Sequence, residues 1–299
     1  MSVFLKKFSV IGVLLLALFT LTACRHQSQS TTTRTKPIHV VASLDFYGEV
    51  ARAVLGDHGT VTTIIKSASV DPHDFEPTPQ DAAAVSHATI ALANGLGYDA
   101  WMQKLIKSSG NDHLKGIQVG EDVMAKKMGA NEHIWYDPET MTRLATYLAT
   151  QFGKTAPKYR SIYQKNANRY IQQLAPLQRQ IKKLKQGSDH RAVDVSEPVF
   201  DYALNALGYR RLNQQFEIAV ENGTDPTPKT IRNMQNDIKQ RKIAFFVNNS
   251  QTSDKTVKSL VKLANTHHVP VLNVTETLPQ GKTYRSWMTS QYTQLERIQ

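Results

Sequence analysis

The sequence contains a single cysteine, Cys24, among its 299 residues. One thiol excludes an internal disulfide framework and any zinc site built from several cysteines. Long hydrophobic runs are also scarce. The one from Ile11 to Leu21 is shorter than the ~20 apolar residues that a membrane-spanning helix needs. The motifs Gly-x-Ser-x-Gly and His-Glu-x-x-His are both absent, so neither nucleophilic hydrolysis nor zinc-protease chemistry has a motif to support it.

The amino terminus has the features of an export signal. Lys6 and Lys7 precede the apolar run, which ends in the lipobox-like tetrad Leu21-Thr22-Ala23-Cys24. We expect residues 1–23 to be a lipoprotein signal peptide and Cys24 to carry a lipid; a cleaved secretory peptide with an incidental cysteine is the alternative. Residues 24–36 are mostly Gln, Ser and Thr, which predicts a flexible tether. In either case the mature protein is placed outside the cytoplasmic membrane.

Acidic residues are in deficit, with 25 Asp and Glu against 36 Lys and Arg, and the net charge is +11. Much of the positive charge falls between Lys154 and Arg191, within one long helical pattern. A solvated helix face is the first interpretation, and weak attraction to anionic lipid or wall polymer is the second. No base-stacking aromatic motif accompanies the charge, so we expect no nucleic-acid partner.

Strand and helix patterns alternate along the chain from Ile38 onward, which predicts an α/β protein. The alternation is interrupted once, by a helical pattern of some 30 residues in which Pro176 is expected to introduce a kink. We therefore predict two Rossmann-like lobes joined by a single long rigid helix. The predicted limits are 37–153 for the amino-terminal lobe, 154–187 for the connecting helix and 188–299 for the carboxy-terminal lobe.

Four polar residues occupy equivalent places, at the end of a strand or in the loop before a helix. Ligands of open α/β sheets bind there. They are His73, His133, Glu197 and Glu276. Each alone is more often a cap or a surface residue, yet together they supply two imidazoles and two carboxylates, which suit Zn²⁺ or Mn²⁺. The loop around His73 is stiffened by three prolines, which lowers the entropic cost of ordering it around an ion.

Several segments resemble the metal-binding solute receptors of bacterial ABC importers, the zinc and manganese cluster that includes the streptococcal adhesin-type lipoproteins. The resemblance implies an ion bound in the cleft between two lobes, with His73, His133, Glu197 and Glu276 as its ligands. The matching segments are DPHDFEPTPQD (71–81), ANGLGYDAWMQKL (93–105), EHIWYDP (132–138), SEPVFDYALNALGY (196–209), ENGTDPTPKTI (221–231) and VTETLPQGKTYRSWM (274–288).

Two departures from that family pattern are visible. The His-rich insertion of many zinc receptors is missing, with only His113 between residues 110 and 130, so the choice between zinc and manganese stays open. No acid follows the segment Phe245-Phe246-Val247, so no ligand is expected from there. The predicted function is capture of one divalent ion by a monomeric, lipid-anchored receptor that delivers it to a membrane permease with a cytoplasmic ATPase. It is not expected to be an enzyme. The alternatives are a surface adhesin with a structural ion and a metal-dependent hydrolase with Glu276 as general base.

Overall fold

A computed structural model describes residues 38–299. The predicted signal peptide, Cys24 and the tether therefore lie outside the described residues. Within the described part, no helix combines the length and the apolar character needed to cross a bilayer.

The first lobe contains a four-stranded parallel sheet in the order β2-β1-β3-β4. Helices follow each of the first three strands, as expected for parallel strands that need crossover connections. A short π-helical turn, Val119–Val123, follows the fourth. The elements are β1 (Ile38–Leu44), α1 (Asp45–Leu55), β2 (Gly59–Ile65), α2 (Pro79–Ser86), β3 (Ile90–Ala93), α3 (Ala100–Ser108), β4 (Lys115–Gln118) and α4 (Thr140–Thr155).

A second parallel sheet has the order β6-β5-β7-β8 and forms the other lobe. Its strands are shorter, with only two residues in β6. The elements are β5 (Ala192–Val195), α6 (Asp201–Leu207), β6 (Arg210–Arg211), α7 (Gln214–Glu221), α8 (Pro228–Lys239), β7 (Phe246–Asn249), α9 (Lys255–Thr266), β8 (Val271–Val274) and α10 (Tyr284–Ile298).

The two lobes are linked by a 28-residue helix, α5 (Arg160–Gly187), which continues through Pro176. One face of this helix is apolar because hydrophobic side chains recur at three- and four-residue intervals. Those buried residues are Tyr163, Ala167, Tyr170, Leu174, Leu177, Ile181 and Leu184. They pack against helices on either side, so the helix is part of the core along its whole length.

The largest hydrophobic cluster contains residues from both lobes. Aromatic side chains connect them: Trp287 of α10 lies 5.8 Å from Phe46 and 5.7 Å from Tyr136, measured between ring centroids. Tyr136 in turn lies 5.0 Å from Phe200 of the second lobe. The lobes therefore share one core, which fixes the edges of the cleft between them.

The predicted architecture of two α/β lobes and a long linking helix is confirmed. Three local differences are found. The β-branched and aromatic run from Ile243 to Val247 predicts a strand, yet β7 begins only at Phe246, because its pairing with β5 starts at Asp194. The segment Asp137-Pro138-Glu139 predicts a helix cap, yet it gives no side-chain cap to α4, which begins at Thr140. Strand β6 and helix α7 were not predicted.

Candidate metal-binding site

His73 lies on the loop between β2 and α2, at the mouth of the cleft. The loop is held from inside by Trp101, whose Nε1 donates to the carbonyl of Pro72 at 3.0 Å. It is tightened locally by Asp71, whose Oδ1 accepts from the backbone N–H of His73 at 2.9 Å. Thr78 caps the helix that follows through a reciprocal bond pair with Asp81. These hydrogen bonds restrain the loop on both sides of His73, so the position of its imidazole is well defined.

His133 lies deeper in the same cleft, and its side chain is only 1% exposed. Asn131 orients it, because the Oδ1 atom of Asn131 lies 2.9 Å from both the backbone N and the Nδ1 of His133. This contact puts a proton on Nδ1 and leaves Nε2 as the atom able to bind an ion. Nε2 is buried and has no hydrogen-bond partner among the described residues.

Asn131 is itself held by the opposite lobe. Its Nδ2 donates to the carbonyl of Pro198 at 2.7 Å, and its own carbonyl accepts from the hydroxyl of Tyr202 at 2.7 Å. The orientation of His133 in the first lobe therefore depends on groups in the second. Such supporting contacts commonly set the geometry of a metal ligand.

Glu276 reaches the histidines from the loop after β8. Its Oε1 lies 3.8 Å from Nε2 of His133 and accepts from the Tyr98 hydroxyl at 2.8 Å. Tyr98 belongs to the first lobe and packs edge-on against His73, with ring centroids 4.7 Å apart. Tyr98 thus connects the imidazole of one lobe to the carboxylate of the other.

Glu197 lies where the sequence predicts it, directly after β5 and before Pro198. Its Oε2 accepts from Nδ2 of Asn249 at 2.6 Å, and it lines the same cavity of about 490 Å³ as His73 and Glu276. The carboxyl group is not among those within 4.0 Å of either histidine. Asn249, the last residue of β7, is thus a donor to this carboxylate.

Two further carboxylates approach the histidines, and neither was assigned a role from the sequence. Oε1 of Glu132 lies 3.3 Å from Nε2 of His73. Oε1 of Glu221, at the end of α7, lies 3.9 Å from Nε2 of His73 and 3.7 Å from Nε2 of His133. His73, Glu132 and Glu221 each offer a ligand atom within 4.8 Å of the other two. The sequence did contain an indication of their role. Glu132 and Glu221 are the first residues of EHIWYDP and ENGTDPTPKTI, two of the segments that resemble the receptor family.

The spacing of these donor atoms fits a metal ion. Nitrogen and carboxylate ligands lie about 2.0–2.2 Å from Zn²⁺, which puts neighbouring ligands about 3.4 Å apart in a tetrahedral site. Four imidazole–carboxylate pairs lie between 3.3 and 3.9 Å: His73 with Glu132 and Glu221, and His133 with Glu221 and Glu276. These four separations are close to the spacing of neighbouring ligands around one ion.

The electrostatics of the site favour a bound cation. Burial lowers the pKa of His133, but the carboxylates of Glu276, Glu221 and Glu132 outweigh burial and raise that pKa to about 9. Burial raises the pKa of Glu221 to about 8, with the other carboxylates adding to the effect. Burial also raises the pKa of Glu276, but interactions with His133 and the hydrogen bond from Tyr98 outweigh burial and leave that pKa below its usual value. The carboxylates repel one another, and a divalent ion would relieve this.

Comparison with known proteins identifies a family and several relatives of this chain. The family model of zinc-uptake complex component A, periplasmic, matches residues 40–298. ScbA of Streptococcus cristatus, a metal ABC transporter substrate-binding lipoprotein, is 25% identical over 304 residues, covering 95% of this chain and 96% of ScbA. PsaA of Streptococcus pneumoniae TIGR4, a manganese ABC transporter substrate-binding lipoprotein, is 25% identical over 305 residues, with the same coverage.

Solved structures show the same fold. The Mn-bound periplasmic metal binding protein of Candidatus Liberibacter asiaticus superposes with a TM-score of 0.70 at 20% identity, covering 88% of this chain and 100% of that one. Zn(II)-bound AdcA of Streptococcus pneumoniae gives a TM-score of 0.67 at 19% identity, covering 87% of this chain and 57% of AdcA. Since the family model spans nearly all of the described residues, the chain belongs to the zinc-uptake complex component A family.

Proposed function

We propose that this protein captures one divalent transition-metal ion, Zn²⁺ or Mn²⁺, outside the cytoplasmic membrane and delivers it to the permease of an ABC importer, which works with a cytoplasmic ATPase. Family membership supports the proposal, as do relatives that match along almost their whole length and are named as metal transport lipoproteins. The observation that carries it is the buried Nε2 of His133, which has no hydrogen-bond partner among the described residues and faces carboxylates of the opposite lobe.

The proposed ligands are His73, His133, Glu197 and Glu276. Each lobe would supply two of them, so the ion would join the lobes. A catalytic metal usually has three protein ligands and keeps a position for water, whereas a larger set of protein ligands favours binding without reaction. The relatives are named as substrate-binding lipoproteins of transporters, which supports neither the adhesin alternative nor the hydrolase alternative.

The remaining parts of the proposal concern how the receptor is held. Residues 1–23 would be removed as a signal peptide, Cys24 would carry the lipid, and residues 24–36 would serve as the tether. Residues 37–153 and 188–299 would form the two lobes of a monomer, with the connecting helix at 154–187. The placement of α5 at Arg160–Gly187 supports these limits.

The test is the metal content of a protein comprising residues 25–299, stripped of metal and then equilibrated with limiting Zn²⁺ and Mn²⁺. We expect native mass spectrometry to find one ion per wild-type chain. His73→Ala should lose this ion, since it removes one imidazole from a partly exposed position. His113→Ala changes an exposed histidine that does not line the cleft, so this variant should retain the ion. A wild-type protein without a stoichiometric ion would overturn the proposal.

A further inference from the structure

Glu221 occupies a position in the cleft that the four proposed ligands leave unexplained. It is the last residue of α7, and its side chain is 18% exposed. Its Oε1 approaches Nε2 of both histidines, at 3.7 Å from His133 and 3.9 Å from His73. The separation from His133 matches the 3.8 Å between His133 and Glu276. By distance, Glu221 is placed as well as Glu276 to share an ion with His133.

The buried Nε2 of His133 gives an independent indication of a ligand at this point. It lies within 4 Å of one oxygen of Glu221 and one oxygen of Glu276, yet it is hydrogen-bonded to neither. A buried polar atom without a partner is uncommon because its lost hydration is not replaced. An ion held between the imidazole and the two carboxylates would satisfy all three groups.

Helix α7 is fixed by contacts that aim Glu221 into the cleft. One turn before Glu221, the buried carboxylate of Glu217 pairs with Arg211 at 2.7 Å, and the same guanidinium pairs with Asp201 of α6. Positions 217 and 221 lie on one face of the helix, since they are four residues apart. The ion pair at Glu217 therefore sets the rotation of the helix that directs Glu221 towards the histidines.

The structure offers no ordinary partner for the Glu221 carboxylate. Among residues 38–299, no lysine or arginine nitrogen lies within 4.0 Å of its oxygens. The only basic groups of this part of the chain within that distance are the imidazoles of His73 and His133. Asn222 and Gly223 end the helix, and Gly223 takes a positive φ of 63° that turns the chain away. A surface ion pair or a helix cap thus does not explain the position of this side chain.

We propose that Glu221 is a direct ligand of the captured ion and that it raises the number of protein donors above four. This inference rests on the proposed metal-binding function. Mn²⁺ prefers carboxylate oxygens to imidazole nitrogens as ligands. Zn²⁺ usually has a coordination number of four, so a fifth protein ligand adds little to its binding. An additional oxygen from Glu221 therefore improves the binding of Mn²⁺ relative to Zn²⁺. Glu221 is a specificity-determining residue of this receptor.

The test compares wild type with Glu221→Gln, which keeps the size of the side chain and removes its charge. We expect the affinity for Mn²⁺ to fall at least ~10-fold, the scale on which metal sites respond to loss of a nearby group, and to fall more than the affinity for Zn²⁺. X-ray absorption spectra of the Mn²⁺-loaded proteins should show one light-atom ligand fewer in Glu221→Ala, which has no side-chain donor atom. Glu76→Gln, at an exposed position of the His73 loop, is the charge-matched control and should behave as wild type.

The outcomes separate the two proposals. If wild type holds one ion, Glu221→Gln has the same Mn²⁺ affinity and Glu221→Ala has the same number of ligands, Glu221 is not a ligand and the inference is overturned while the receptor function stands. An equal loss of affinity for both ions would overturn the role in specificity. If wild type itself binds no ion, the proposed function fails first.

Discussion

Asp194 is a carboxyl group placed in the middle of strand β5 with no solvent exposure. Its Oδ1 accepts from Asn213 at 2.8 Å, and its Oδ2 has no partner among the described residues. Burial raises the pKa of Asp194 to about 7, and the neighbouring Asp237 adds to the effect. The folded protein therefore holds a proton there between about pH 4 and pH 7, where the unfolded chain has lost it.

This difference predicts a pH dependence of stability. Because the folded state binds the proton more tightly, the free energy of unfolding should fall as pH rises from about 4 to about 7, by at most ~1.4 kcal/mol per pH unit from this group. Asp194→Asn removes the titration and keeps an oxygen that can accept from Asn213. The metal-free variant should thus show a shallower decline between pH 4.5 and pH 8 in chemical denaturation.

The measured quantity is the slope of the unfolding free energy against pH, so a loss of stability in Asp194→Asn that is the same at every pH does not affect the comparison. Asp112→Asn, at an exposed position, is the control and should leave the slope as in wild type. Parallel stability curves for wild type and Asp194→Asn would contradict the prediction.

Residues of the site differ in how readily the sequence reveals them. Glu197 and Glu276 lie just after strands β5 and β8, and His73 lies in the loop that follows β2, so the position in the chain alone predicts a place at the edge of a sheet. Glu221 stands at the far end of a helix that was itself not predicted, and only the packing of Glu217 against Arg211 directs it inward. Long-range contacts of that kind leave no periodic pattern in the sequence.

At the scale of elements, local signals located the helices and strands with strong caps or apolar runs. Thr78-Pro79 and Thr227-Pro228 each place a hydroxyl before a proline, a pattern that predicts the start of a helix, and a helix does begin at both prolines. Helix α7 lacks these signals, because its cap residue Asn213 makes no side-chain cap bond and only Phe216 and Glu217 of its eight residues are buried. Strand β6 is too short for any pattern to be visible.

Two loops of opposite lobes are fastened together beside the site by Gln251. Its Nε2 donates to the carbonyl of Ala68 at 2.7 Å, and its Oε1 accepts from the backbone N–H of Glu276 at 2.6 Å. Thr277 adds a second bond to the Ala68 carbonyl, at 2.9 Å. The loop carrying His73 is thereby connected to the loop carrying Glu276.

Removal of this connection should speed release of the ion. Gln251→Ala deletes the side-chain bonds to Ala68, Glu276 and Thr277 and leaves only the bond from Thr277 to Ala68, so both loops lose restraints while no imidazole or carboxylate is changed. We expect the rate of metal loss to a chelator, followed by stopped flow, to rise roughly 10-fold, as for other groups that support metal ligands. Gln80→Ala, at an exposed position of α2, should have no effect. An unchanged release rate in Gln251→Ala would show that the two loops do not restrain the ion.

At the scale of the whole molecule, the lobes are joined by more than the long helix. The backbone N–H of Tyr284 in α10 donates to Glu49 of α1 at 2.8 Å, and its hydroxyl donates to the carbonyl of Trp135 at 2.7 Å. Tyr136 reaches across to the carbonyl of Thr275. These contacts lie under the cleft and are continuous with the aromatic core that the lobes share.

The shared core predicts that residues 25–299 unfold in one cooperative step. Neither lobe can unfold alone without exposing Trp135 or Trp287 of the common cluster to water. Exposing such a large apolar side chain is unfavourable, so unfolding of one lobe destabilises the other. Denaturation curves followed by tryptophan fluorescence and by far-ultraviolet circular dichroism should therefore coincide in the metal-free protein. Two separated transitions would mean that the lobes are independent units.

The cleft collects its imidazoles and carboxylates from residues as far apart in the chain as His73 and Glu276. During synthesis, the first of these groups is complete long before the last has emerged, and neither the first nor the second half of the polypeptide contains the full set. Under the proposed function, retention of the ion would therefore report that both halves are present and folded together, and a copy truncated after the first lobe would carry no cargo.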